Sequence, residues 1–171
     1  MAPLSARWLA VLGAVVVAGT CVRCAIAAQT GESSIAVIVS SRDRGVQTMD
    51  PGMLRNIYLK KIFVDPQGHA YIPVNLPPDS RLRQAFSRAA IGMSELRLQN
   101  YWNQQYFQGV SPPYVLGSEA AVVEFVAKTP GAIGYVKPCF VTADVHAVLL
   151  LTLPAASSLQ PAGACPDRAT H

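Results

Sequence analysis

TPGAIGYV, residues 129–136, sets a helix-stopping triplet directly against a short, almost wholly apolar segment. Upstream, Ser118 caps a helix in which Val122, Phe125 and Val126 fall on one face. Lys128-Thr129-Pro130-Gly131 stops that helix, and Ala132–Val136 reads as a strand that begins with no linker. Gly134 inside the strand marks a backbone that a neighbour approaches closely. A helix that returns at once into a strand is the closing half of an α/β unit.

The same alternation runs outward along the chain. Residues 35–39, IAVIV, form a continuous apolar run of strand length, suited to a strand buried on both faces. Asp50 and Pro51 open a helix as N-cap and first helical residue, with Leu54, Ile57 and Tyr58 on its core face. DPQG, 65–68, is a turn, and YIPVNL, 71–76, is strand-like, with Pro73 favouring an edge or an irregular stretch. Ser80 or Asp79 caps a helix carrying Leu82, Phe86, Ala89 and Ala90 inward, and Gly92 ends it. Ser94 caps another that carries Leu98, Tyr101, Trp102, Tyr106 and Phe107, of which Leu98, Tyr101, Trp102 and Tyr106 match helical spacing and are expected as a core stripe. YVL at 114–116 and HAVLLLTL at 146–153 complete the strands. Helices and strands joined by short connections predict an α/β layer on a mainly parallel sheet flanked by helices.

Outside this region the ends read differently. Arg7 precedes 15 uncharged and mostly apolar residues, then Arg23 and the small-residue exit Ala25-Ile26-Ala27. That is the pattern of a secretory signal peptide, and the run is shorter than the roughly 20 apolar residues of a spanning helix. The expected organisation is a cleaved signal over 1–27, an α/β domain over 28–153 and an irregular tail over 154–171. Retention of the signal as an anchor and lipid attachment at Cys21 are the alternatives. After cleavage the chain is not expected to be an integral membrane protein.

Loss of Arg7 and Arg23 lowers the Lys+Arg count from 14 to 12 against 10 Asp+Glu. So mild a positive charge, scattered along the chain, excludes a nucleic-acid partner, which calls for a dense basic patch. Cys21 and Cys24 are expected to leave with the signal, and Cys139 and Cys165 remain, an even count that favours a single disulfide in an oxidising compartment over two free thiols. No metal site is expected, because His69, His146 and His171 show no ligand spacing.

With those residues in view, the chain resembles phosphate ABC-transporter substrate-binding proteins of the type 2 periplasmic-binding superfamily. SEAAVVEFVAKTPGAIGYV is the most specific segment, supported by IAVIVS, LRNIYLKKIF and YIPVNLPPDSRLRQAF, together spanning roughly residues 35–137. The resemblance implies a single lobe of that fold, about half of a full-length member, in a bacterial periplasm. In the family, a helix start of the form R-S-D-G-S-G-T-T holds phosphate through hydroxyls and backbone N–H groups, as helix dipoles favour. Laid on VNLPPDSRLRQAF, Ser80 falls on the contacting serine, Leu76 on the Arg, Pro78 on the Asp, and Arg81-Leu82-Arg83 on Gly-Thr-Thr. Asp79, Ser80, Arg81 and Arg83 are therefore the candidate oxyanion residues, with the two arginines offering bidentate donors. Ser80 has a second reading as a purely structural N-cap.

Two functions follow. The first is an exported binding domain for phosphate or a similar oxyanion; the second is an accessory protein that docks on a membrane transporter or sensor without binding phosphate. An enzyme is not expected, since no G-x-S-x-G elbow, HExxH or reactive Cys–His pair occurs, and no cofactor is implied. NYWNQQYFQG, 100–109, invites a sugar-binding reading through its aromatics and amides, against which stands the core-stripe reading. A Cys139–Cys165 bridge closes a loop of about 27 residues, so reduction should lower stability by about 3 kcal/mol; urea unfolding with and without reductant measures it, and identical midpoints would exclude the bridge as a stabilising element.

Overall fold

The computed structural model describes residues 34–43, 45–153 and 165. The expected signal peptide and nearly all of the tail lie outside the described residues. In chain order the elements are β1 (Ser34–Ser40), α1 (Pro51–Tyr58), β2 (Ile72–Asn75) and α2 (Arg81–Phe86), which continues as a π-helical turn over Ser87–Ile91. Next come α3 (Glu95–Tyr106), β3 (Tyr114–Val115), α4 (Glu119–Lys128), β4 (Ala132–Val136), a 3-10 turn (Pro138–Phe140) and β5 (Val145–Thr152).

Each of α1 to α4 begins where a cap was expected. Asp50 accepts from the Met53 N–H, Ser80 from Arg83, Ser94 from Arg97 and Ser118 from Ala121, at 3.0–3.4 Å. Each bond satisfies one of the orphan donors of a helix start. α4 ends in a β-turn with Pro130 and Gly131 at its centre, closed by the Ala132 N–H on the Thr129 carbonyl. Gly131 has φ +74, as a type II turn requires. Its N–H donates to Asp43 at 3.0 Å and its carbonyl accepts from Ile72 at 2.9 Å, so the turn is itself the first rung between β4 and β2.

The sheet order is β3-β2-β4-β1-β5. β2 pairs in parallel with β3 and β4, and β1 pairs antiparallel with β4 and β5. Four strands therefore point one way, and the first strand alone runs against them. Pro73 fits because of backbone alternation. The Ile72 N–H faces β4, so the nitrogen of Pro73 faces the β3 side, where pairing begins only at Val74. The proline thus occupies a locally open edge inside a sheet.

β4 is buried along its whole length. Gly134 faces Val122 and Val126 of α4, while Tyr135 points to the opposite face. There it stacks on Phe86 with ring centroids 3.8 Å apart, and Tyr58 packs against Phe86 at 4.7 Å. The expected stripe on α3 is only partly realised. Leu98 is buried and Tyr101 and Trp102 are half-buried, but Tyr106 is 72% exposed, and Phe107, the C-cap beyond the stripe, is 89% exposed. α3 lies at the β3 margin, where no further layer covers its last turn. The bridge expected between Cys139 and Cys165 is present, with the Cα atoms 5.7 Å apart.

A Cβ at Gly134 would lie 2.5 Å from Val122 Cγ1 and 3.1 Å from Val126 Cγ2, both stiff side chains in a packed layer. Gly134→Ala should therefore destabilise by about 1–3 kcal/mol through overpacking. Gly131→Ala combines a left-handed φ with a collision at the Ala70 carbonyl and should cost at least as much. Urea denaturation of both variants measures these losses, and wild-type midpoints would refute the close packing.

Candidate binding clefts at the carboxyl end of the sheet

In α/β sheets the carboxyl ends of parallel strands release the loops that hold ligands. Here the loop after β2 leads into α2 and the loop after β3 leads into α4. Both helix starts consequently face one edge, and the N-caps Ser80 and Ser118 line a common cavity of about 380 Å³ together with Leu76, Pro77, Asp79, Gly117, Glu119, Ala120 and Phe140. First-turn N–H groups and the positive helix end favour an anion at such a place. Two carboxylates oppose it. Glu119 is largely neutralised, with Lys137 Nζ at 3.2 Å and the Lys137 N–H donating at 2.7 Å. Asp79 stays exposed at the rim.

The four candidate oxyanion residues are divided. Asp79 and Ser80 share this cavity. Arg81 is exposed and lines none of the clefts described here. Arg83 turns inward with its side chain 11% exposed, donating from Nε to Glu95 at 2.9 Å and from Nη1 to the Leu76 carbonyl at 2.7 Å. Ser87 donates to the other Glu95 oxygen. Arg83 thereby clamps α2, α3 and the end of β2 into one unit.

Beside that clamp a second cavity of about 440 Å³ opens between α3, β3 and the β2 end, lined by Asn75, Pro78, Arg83, Glu95, Leu96, Gln99, Trp102, Asn103, Pro112, Pro113 and Val115. Sequence reasoning passed over Asn75, the lone polar residue at the end of an apolar strand. Its Oδ1 accepts from the Tyr135 hydroxyl, which in turn accepts from the Leu76 N–H at 3.3 Å. The nearby Tyr58 hydroxyl reaches the Val74 and Ile133 carbonyls at 2.9 and 3.2 Å, filling the point where β2 and β4 separate. Its phenol is held well above the ordinary tyrosine range by burial and then by Tyr135. Burial likewise pushes Tyr135 up, against the lowering effect of the Leu76 N–H and Arg83.

A third hollow of about 360 Å³ lies at the opposite, amino ends of β2 and β4, and its polar lining includes Asp43, Asp65 and His69. Burial pushes the Asp65 carboxyl upward, but the His69 and Gln67 N–H groups and the His69 ring bring it below its usual range. The His69 side chain is 77% exposed. Among the described residues no cluster of His, Cys, Asp or Glu is arranged to hold a metal ion, and no helix is long and apolar enough to cross a membrane.

No family model and no curated protein matches the chain. Solved structures do. An ABC-type phosphate transport receptor from Vibrio cholerae superposes with a TM-score of 0.56 at 19% identity, over 70% of this chain and 46% of the receptor. A putative phosphate ABC transporter substrate-binding protein with bound phosphate, from Clostridium perfringens, gives 0.57 at 20% identity, over 70% and 45%. The chain has the periplasmic-binding fold. It spans less than half the length of these two proteins, as a single lobe of that fold.

Within this lobe the two buried tyrosines set a pH dependence. A phenol whose folded pKa is raised contributes stability that is complete below the unfolded value of about 10 and is lost as pH rises beyond it. Stability should hold to neutral and mildly alkaline pH and then fall above about pH 10, together with the tyrosinate absorbance of unfolding. Tyr135→Phe should be less stable at neutral pH by about 1–3 kcal/mol, since Asn75 loses its donor, yet decline less steeply in alkali, so that the gap closes there. Parallel alkaline declines would contradict the assignment.

Proposed function

We propose that the protein is an exported solute-binding module that takes phosphate or a similar oxyanion in the cavity between the starts of α2 and α4. The observation that carries this reading is the convergence of two serine-capped helix starts, at Ser80 and Ser118, on one cavity at the carboxyl edge of the sheet. Ser80 and the first-turn N–H groups of α2 and α4 supply the donors, and Arg81 swings in from the exposed surface to supply charge. Arg83 acts behind the site by fixing the Leu76 carbonyl and α3. Likeness in fold to phosphate receptors supports the ligand class, and the signal-like residues 1–27 support export to a bacterial periplasm.

The accessory reading has its own support. Arg83 is already committed to Glu95, two carboxylates border the cavity, and Tyr106, Phe107 and Tyr114 stand exposed at the β3 margin. Large exposed apolar side chains suit a protein partner, here a membrane transporter or sensor.

Calorimetric titration of residues 28–171 with phosphate, against sulfate as the control anion, separates the two. Saturable, phosphate-selective heat with micromolar affinity, about 8 kcal/mol of binding free energy, is expected for a receptor. The Ser80→Ala/Arg81→Ala double variant should then lose binding while keeping its fold. Absence of heat at millimolar phosphate would sink the oxyanion site and leave the docking role.

A further inference from the structure

The cavity between α3 and β3 has the chemistry of a site of its own. Asn75 is 6% exposed, and its amide oxygen is engaged by the Tyr135 hydroxyl. The Leu76 N–H donates to the Tyr135 hydroxyl, and that hydroxyl donates to Asn75 Oδ1, leaving the NH₂ group on the far side. That NH₂ has no partner among the described residues, and none of their buried side-chain nitrogens or oxygens lacks one. The NH₂ group must therefore reach open space, and the space that Asn75 lines is this cavity.

What surrounds this donor is neutral and amphipathic. Trp102 is half-buried, held edge-on by Tyr101 with centroids 5.0 Å apart, and its indole N–H has no partner among the described residues. Gln99 and Asn103, on the same face of α3 as Trp102, bring amides that also lack hydrogen bonds among the described residues. The charged residues in the described lining, Arg83 and Glu95, neutralise each other at 2.9 Å. Prolines 112 and 113 make the far wall stiff, which lowers the ordering needed on binding. At about 440 Å³ the cavity lies within the range of small-molecule sites.

We propose that this cavity binds a neutral saccharide bearing an acetamido group. The C–H face of a pyranose carries slight positive charge and lies against the negative face of an indole. The acetamido carbonyl accepts from the buried Asn75 amide while its methyl meets Leu96 and Val115, and ring hydroxyls exchange hydrogen bonds with Gln99 and Asn103. A charged ligand finds no counter-charge here that is not already paired. An extended peptide finds only the two-residue β3 to pair with, too short a ladder for strand addition. The site does not depend on the oxyanion reading, because it shares no lining residue with the cavity of Ser80.

The chain contains two tryptophans, so Trp8→Phe in the full-length protein leaves Trp102 as a single reporter. Titration with N,N′-diacetylchitobiose should give a saturating change in its fluorescence at millimolar concentration or below, with cellobiose at least tenfold weaker. Gln99→Ala, on the exposed surface, should weaken binding severalfold. Asn75→Ala should weaken it at least tenfold, with near-ultraviolet circular dichroism confirming the fold. No saturating response, an equal response to cellobiose, unchanged affinity in Gln99→Ala, or a response confined to a proline-rich peptide would each overturn the assignment.

Discussion

The missing side chain at Gly134 lets α4 rest directly on β4, and the other elements take their places from that contact. With Val122 and Val126 seated on one face, alternation sends Tyr135 to the other, where Phe86 and Tyr58 close over it. One strand thus joins two helical layers, and burial on both sides excludes water from its ladder with β1 and β2. The turn at Gly131 serves the same strand from its other end. It ends α4, starts β4 and donates into the loop after β1 through Asp43 within three residues.

Tyr135 carries the order of the core out to the functional edge. Its hydroxyl links Leu76 and Asn75, and the Leu76 carbonyl is held in turn by Arg83, which is fixed by Glu95. A buried polar chain of this kind is favourable only when each member is satisfied. Here the Asn75 amide ends it at a cavity, where a ligand or solvent completes the pattern. The two clefts at the carboxyl edge therefore share a rigid wall, the segment from Asn75 to Ser80, while presenting different chemistry on either side of it.

Much of the fold was legible because the signals were local. Asp50, Ser80, Ser94 and Ser118 each cap a helix through a bond to an N–H three residues on, and such bonds need nothing from the rest of the chain. Pro73 and Gly134 likewise declared a strand with unusual neighbours. The α3 stripe misled at its end, because helical spacing says which residues share a face but not whether another layer covers it; Tyr106 belongs to the stripe and remains in solvent. Arg83 was legible as a cation near a helix start, whereas its commitment to Glu95, twelve residues away, depends on how α2 and α3 cross.

By itself the sequence determined the alternation of helices and strands, their caps and stops, and the pairing of Cys139 with Cys165, since each follows from short-range backbone chemistry or from counting. Only the tertiary structure decided that β1 runs against the other four strands, that Ser80 and Ser118 share a cavity, and that the buried Asn75 amide opens into a second one. These are relations between residues far apart in the chain, fixed by the strand order and by which face each helix covers, and no local propensity encodes them.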